Sequence, residues 1–67
     1  MADLVKLKSV IDDRGMGLTI IAERSGIKRW TLERRLKGLG EFTASEIVGL
    51  SRALRLTRSE RDNIFLH

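Results

Sequence analysis

The residues whose type and spacing most clearly suit a binding role are cations, which are concentrated in one short stretch of the chain. Of the 13 Lys and Arg in the chain, six lie between Glu23 and Lys37, and of the nine Asp and Glu only two do. This segment carries a formal charge of +4, the net charge of the whole protein, because the remaining seven cations and seven anions cancel in number. Such a basic segment is an electrostatic footprint for a polyanion.

The basic segment must be positioned by helices, since apolar residues recur at helical spacing almost throughout and the chain has no proline. We predict five helices. The first three run from an N-cap at Asp3 to about Arg14, from after Gly17 to Ser25-Gly26, and from Lys28 or Arg29 to Lys37 with Gly38 as the stop. The last two begin at the capping boxes Thr43-Ala44-Ser45-Glu46 and Thr57-Arg58-Ser59-Glu60.

These helices predict an all-α fold, a compact five-helix bundle forming a single domain over residues 1–67. The second and third helices, joined at a glycine, have the layout of a helix-turn-helix. Phe42 is expected to pack on Ile47 as a hydrophobic staple. The remaining predicted core residues are Leu4, Leu7, Val10, Ile11, Leu18, Ile21, Ala22, Leu32, Leu36, Leu50, Ala53, Leu54, Ile64 and Phe65. Leu66 is a further candidate whose side is left open.

Composition argues against several classes of function. There is no Cys, and the one His is the last residue, His67, so no metal site, cofactor or small-molecule substrate is expected. No apolar run approaches the roughly 20 residues of a membrane span, which favours a cytoplasmic protein. Asp12-Asp13 is the one adjacent acidic pair, and helical neighbours point about 100° apart, so we do not expect an enzyme.

Residues from Ile21 to Leu66 resemble the Cro and repressor-like (XRE-type) helix-turn-helix family, especially small regulators of phages and related mobile elements. The resemblance rests on the order and spacing of Ile21-Ala22, Ser25-Gly26-Ile27, Thr31-Leu32, Arg34-Arg35-Leu36-Lys37-Gly38, Glu41-Phe42-Thr43, Glu46-Ile47, Leu54-Arg55-Leu56-Thr57 and Ile64-Phe65-Leu66. It implies a lambda-repressor-like DNA-binding domain that binds duplex DNA sequence-specifically, with the third helix in the major groove.

Two positions depart from the family pattern. Many members have a phosphate-binding Gln near the start of the second helix, where this chain has Leu18 and Thr19. A phosphate contact there must use Thr19 or backbone N–H groups. The third helix, commonly capped by Ser or Thr, here has Lys28, which cannot accept the N–H bond and is instead expected to reach a phosphate.

Major-groove reading needs side chains near the start of the recognition helix and one turn on, which indicates Arg29, Trp30 and Arg34. Glu33 either accepts from a cytosine amino group or pairs with a neighbouring arginine, and the ion pair is the commoner surface role. The predicted phosphate contacts, which set docking register, are Thr19, Lys28, Thr31, Lys37 and Thr43.

Several of these residues have simpler explanations. The charge run could be a solvated helix face, and Trp30 could be a core residue, although it lies off the stripe defined by Leu32 and Leu36. Arg35 could equally pair with an acid or touch a phosphate. The capping role alone explains Thr43.

Two functional hypotheses follow. In the first, the protein is a Cro-like repressor in a bacterial cell that binds a palindromic operator as a homodimer, at least on DNA, and is nucleoid-associated when bound. The C-terminal apolar residues could pack inward or form the dimer contact. In the second, the same fold is a protein-interaction module, such as an anti-repressor or antitoxin-like partner.

Overall fold

The computed structural model describes residues 1–66, which form five α-helices and no strand. The predicted fold class is confirmed. The helices are α1 (Leu4–Arg14), α2 (Leu18–Ser25), α3 (Arg29–Leu36), α4 (Ala44–Ala53) and α5 (Arg58–Phe65). His67, and with it any expectation about that side chain, lies outside the described residues.

Side-chain caps start three of the helices where the sequence indicates. The Asp3 carboxylate accepts from the backbone N–H of Lys6 at 3.0 Å and begins α1. Both predicted capping boxes form, with Thr43 and Glu46 exchanging hydrogen bonds at α4 and Thr57 and Glu60 at α5. Each box supplies acceptors to first-turn N–H groups that lack an intrahelical partner.

The end of α3 is a Schellman motif around Gly38, which confirms the predicted stop. Gly38 has a φ of +83°. Its N–H donates to the Arg35 carbonyl at 3.0 Å, and the Leu39 N–H donates to the Arg34 carbonyl at 2.9 Å. Lys37 is the C-cap, so the helix ends one residue earlier than predicted. Glycine takes this left-handed conformation without the clash that a Cβ introduces.

The five helices pack around a single hydrophobic core. Its fully enclosed side chains are Leu7, Ile21, Leu32, Leu50, Leu54 and Ile64. Phe65 is also buried, and its ring meets that of Phe42 edge to face with centroids 5.4 Å apart. The predicted staple residues Phe42 and Ile47 are half-buried against this core. Leu66, whose side the sequence leaves open, is the C-cap of α5 and 68% exposed, because Ile64 and Phe65 already occupy the inward side.

Gly49 in α4 lies closely against Ser25, the last residue of α2. A Cβ added to Gly49 would collide with the carbonyl oxygen of Ser25. A glycine inside an apolar helical pattern often has such a packing reason. The absence of a side chain here lets α4 cross directly over the C-terminal end of α2, beside the turn that leads into α3.

Arg14 joins the last turn of α1 to α4 and α5. Its Nε donates to the Leu54 carbonyl at 2.9 Å, and Nη2 reaches both carboxylate oxygens of Glu60 at 3.2 Å. The pKa of Glu60 is lowered from its ordinary value of 4.5, first by the hydrogen bond from the Thr57 backbone N–H and then by Arg14. One arginine therefore connects the end of α4 to the start of α5.

Candidate nucleic-acid interface

The α2–α3 connection places one face of α3 in solvent. Residues 26–28 join the two helices, and the buried Ile27 anchors this turn in the core. Leu32 and Leu36 fix the inward side of α3. At about 100° per residue, Trp30 and Arg34 lie on the opposite side of the helix, and Lys37 at the C-cap follows on. We call Trp30, Arg34 and Lys37 the α3 outer face.

Trp30 and Arg34 form a stacked pair on this face. Trp30 is 68% exposed, which excludes the core alternative for that side chain. The guanidinium carbon of Arg34 lies 5.0 Å from the centre of the Trp30 ring. This cation–π geometry at an i, i+4 spacing restricts the arginine without using its N–H donors. Neither Arg34 nor Lys37 forms an ion pair within residues 1–66.

On the flank of α3 nearest α2, Arg29 is held by two partners. Its Nε lies 3.4 Å from a Glu33 carboxylate oxygen, an i, i+4 pair that confirms the ion-pair expectation for Glu33. Its Nη1 donates to the Thr19 hydroxyl at 2.6 Å. The structure thus brings together a predicted base-reading residue and a predicted phosphate contact from the first turn of α2. Arg29 has fewer donors left for an external acceptor than Arg34.

On the opposite flank, Arg35 pairs with an acid of α4. Its Nε donates to Glu46 Oε1 at 3.2 Å, and the same oxygen accepts from the Thr43 backbone N–H at 2.9 Å. Both side chains of the pair are largely buried, at 20% and 15% exposure. Of the two roles left open for Arg35, the structure selects the ion pair, which holds α3 to the start of α4.

The remaining predicted phosphate contacts lie around these helices. Lys28 is the exposed N-cap of α3 and makes no side-chain cap, as expected for an ammonium group. Gly17 likewise gives α2 no side-chain cap. Thr31 is half-buried on α3. The Thr43 hydroxyl accepts from the Glu46 N–H at 3.2 Å, so its capping role is confirmed. The phosphate role of each stays a prediction.

A second group of exposed cations was not predicted from the sequence. Arg52, Arg55 and Arg58 are all exposed, and none forms an ion pair among the described residues. We call them the arginine turn. The available signal was three arginines and no acid in residues 52–58. The charge count of the whole chain does not show this local excess of positive charge, because the acids that balance these arginines in number lie in other segments.

Within residues 1–66, no three His, Asp or Glu side chains are grouped to hold a metal ion. None of the helices in that range is long and apolar enough to cross a membrane. Comparison with protein-family models, with curated proteins and with solved structures finds no match to this chain.

Proposed function

We propose that this protein binds duplex DNA sequence-specifically and regulates transcription as a Cro-like repressor of the helix-turn-helix family. In this proposal α3 enters the major groove, and the α3 outer face meets the base edges. B-DNA's major groove accommodates one α-helix, and side chains near the start of that helix reach the bases.

The observation that carries the proposal is the state of Arg34. Its guanidinium is exposed, lies over the ring of Trp30, and has no carboxylate partner among residues 1–66. An arginine restricted in this way keeps a planar pair of donors for guanine O6 and N7, and loses less conformational entropy on binding. We therefore propose Arg34 as the principal reader of guanine, with Trp30 against an adjacent thymine methyl group or sugar.

The other predicted residues then divide by how many partners they have. Glu33 and Thr19 hold Arg29 near the start of α3, so Arg29 contacts a base or phosphate only by exchanging one of these partners. Lys28 and Lys37 lie at the two ends of α3, and in this proposal they contact phosphates on either side of the groove. In the same proposal Thr31, in the first turn of α3, and Thr43, the N-cap of α4, contribute further phosphate contacts.

A single copy presents one recognition helix, so we propose that two copies bind a palindromic operator. Two-fold related subunits place their recognition helices about one DNA turn, roughly 34 Å, apart. Ile64 and Phe65 pack inward, which leaves Leu66 as the exposed apolar residue at that end of α5. The bacterial, nucleoid-associated location belongs to the same proposal.

The test is selection of bound duplexes from a random DNA pool, followed by titration of the selected duplex and a scrambled control at two salt concentrations. The expected result is a short inverted repeat containing guanines, bound at least ~10³-fold more tightly than the control, with affinity that falls steeply as salt rises. Equal binding to selected and scrambled duplexes would contradict sequence-specific recognition.

The exposure of Trp30 favours one alternative, a protein-interaction module. Tryptophan is enriched among residues that dominate the binding energy of protein interfaces, and Trp30 presents most of its surface to solvent. The two functions separate in the Trp30→Ala variant. A DNA-reading role predicts loss of discrimination between selected and scrambled duplexes, whereas an exclusively protein-binding role leaves DNA titrations unchanged.

A further inference from the structure

We infer that the arginine turn, Arg52, Arg55 and Arg58, is a second phosphate-binding surface that contacts the DNA backbone beyond the base pairs read by α3. This inference rests on the proposed function for the identity of its polyanion. It is carried by a separate set of residues, located on α4, on the α4–α5 connection and on α5.

The first observation is the backbone of Arg55. Its φ is +52°, and it is the one residue other than glycine with a positive φ in the described range. The four other positive-φ positions are glycines: Gly15, Gly26, Gly38 and Gly40. A left-handed conformation brings Cβ close to the backbone, so glycine is the usual residue. An arginine kept there indicates a use for its side chain.

The local hydrogen bonds show why the conformation is imposed. The Arg55 N–H donates to the Arg52 carbonyl at 3.2 Å, and the Leu56 N–H donates to the Ser51 carbonyl at 2.9 Å. These bonds form the Schellman motif that ends α4, with Arg55 at the position glycine usually occupies. The turn itself needs a left-handed residue there, but nothing in the turn uses a guanidinium.

The second observation is the electrostatic placement of Arg58. It is the first residue of α5, where the unpaired N–H groups of the helix give a partial positive charge that disfavours a cation. The nearest acid in sequence on α5, Glu60, is already occupied by Thr57 and Arg14. Arg55 and Arg58 thus both occupy positions that local energetics disfavour, and both leave their donors free for an external acceptor.

The third observation is continuity with the basic helices. Gly49 of α4 lies directly against Ser25, the last residue of α2. Arg52 follows Gly49 by three residues, nearly one turn, so it lies on the same side of α4 and about 4.5 Å further along it. Arg24 and Lys28 flank Ser25 in sequence and are exposed. Arg52 therefore follows directly on the cations of the α2–α3 turn, and Arg55 and Arg58 come after it along the chain.

The partner that fits is a row of phosphates. Three exposed guanidinium groups that form no ion pair among the described residues suit a repeating anion, and a contact to phosphates adds affinity without reading sequence. Each phosphate that a cation neutralises releases counterions, so each contact makes binding more dependent on salt. On B-DNA one contact changes the slope of log K against log salt by about 0.9.

The experiment compares wild type with the triple variant R52Q/R55Q/R58Q on selected and scrambled duplexes over a salt series. We expect the triple variant to lose about 2.7 from the salt slope on both duplexes if each arginine contacts one phosphate. The ratio of the two affinities should stay that of wild type. The matched control is R61Q, because Arg61 is already paired with Asp62 at 3.1 Å and its loss should leave the slope close to wild type.

A second variant separates the loss of a DNA contact from a loss of stability. R55G places glycine at the left-handed position, so we expect Tm to rise by roughly 5 °C while the salt slope falls by about 0.9. A more stable protein that binds DNA less tightly cannot be explained by damage to the fold. An R55G protein with the wild-type salt slope would overturn the role of Arg55.

The outcomes distinguish this inference from the proposed function. An unchanged slope in the triple variant, with sequence discrimination intact in wild type, overturns the arginine turn and leaves the function standing. A reduced slope without discrimination in wild type supports the arginine turn and contradicts specific recognition. If wild type binds neither duplex, both proposals fail.

Discussion

Arg14 and Arg34 are the same type of residue in two opposite situations. Arg14 donates to a backbone carbonyl, to Glu60 and to Asp13, and its side chain is 28% exposed. Arg34 lies over one aromatic ring on the solvent side of α3 and has no acid partner among residues 1–66. The comparison shows that the role of an arginine follows from the protein acceptors that its guanidinium already binds, and not from its positive charge alone.

The distinction has a physical basis. A guanidinium whose donors are used by the protein would have to break those bonds before it could bind a ligand, so its bonds serve the fold. A guanidinium with free donors is hydrogen-bonded to water, and it can replace those bonds with hydrogen bonds to a phosphate or a base. The predictions below test this division between residues that hold the helices together and residues that face a ligand.

The largest effect is expected at Gly49, in the part of the molecule that holds the helices together. Gly49→Ala places a methyl group against the Ser25 carbonyl, where backbone rather than a flexible side chain must move. We expect a loss of about 3 kcal/mol in the free energy of unfolding. Thermal and urea denaturation measure it. The control is Gly17→Ala, since an added Cβ there meets no atom within 4 Å.

Stability of the G49A protein equal to that of G17A would show that α2 and α4 can separate without cost. The position of α4 over the α2–α3 turn would then be loosely determined, and the continuity of the cationic surface would lose its support.

Arg34→Ala tests the ligand-facing half of the comparison. We expect it to lower affinity for the selected duplex by roughly 1–3 kcal/mol and to relax preference at one base position, because a bidentate contact to guanine is lost. The free energy of unfolding should change little, since the Arg34 side chain is exposed, forms no ion pair among the described residues and stacks on the exposed Trp30. Lys37→Ala is the matched control, and should weaken selected and scrambled duplexes alike and reduce the salt slope by about 0.9. Equal losses on every sequence for both variants would contradict the separation of base and phosphate contacts.

Arg14→Ala tests the other half. It removes a charged hydrogen bond to the Leu54 carbonyl, so we expect the free energy of unfolding to fall by about 1.5 kcal/mol. The ratio of affinities for selected and scrambled duplexes should stay that of wild type. Denaturation and DNA titration on the same samples measure both quantities. A change in discrimination with unchanged stability would reverse the assignment of Arg14.

The smallest effect concerns pH. The pKa of Glu60 is lowered in the folded protein by the Thr57 N–H and by Arg14, so ionised Glu60 stabilises the fold above its ordinary value of 4.5. That contribution is lost as pH falls through the lowered pKa of the folded state. Urea denaturation between pH 7 and pH 3 should show a shallower acid loss for Glu60→Gln, since glutamine keeps the capping box without titrating. Asp12→Asn, at an exposed carboxylate, is the control; an identical slope for both variants would contradict this role of Glu60.

Local sequence signals predicted the helices well. All five begin, and the first three end, within about a residue of the expected positions, because capping boxes and terminal glycines act over three or four residues. The exposed Trp30 and the Arg29–Glu33 pair also followed from helical spacing. The side on which Leu66 lies stayed open, since the apolar pattern does not say which residue at the end of a helix stops facing inward.

The sequence by itself determined the helical elements, the basic character of α3 and which of its sides faces the core, since each depends on neighbours within a turn or two. Tertiary structure alone decided which of its charges have partners on other helices. Arg35 is neutralised by Glu46 of α4, and Arg29 is held by Thr19 of α2. Arg34 and the arginine turn keep free donors because no acid among residues 1–66 pairs with them. Such pairings depend on contacts between helices, which the order of residues along the chain does not specify.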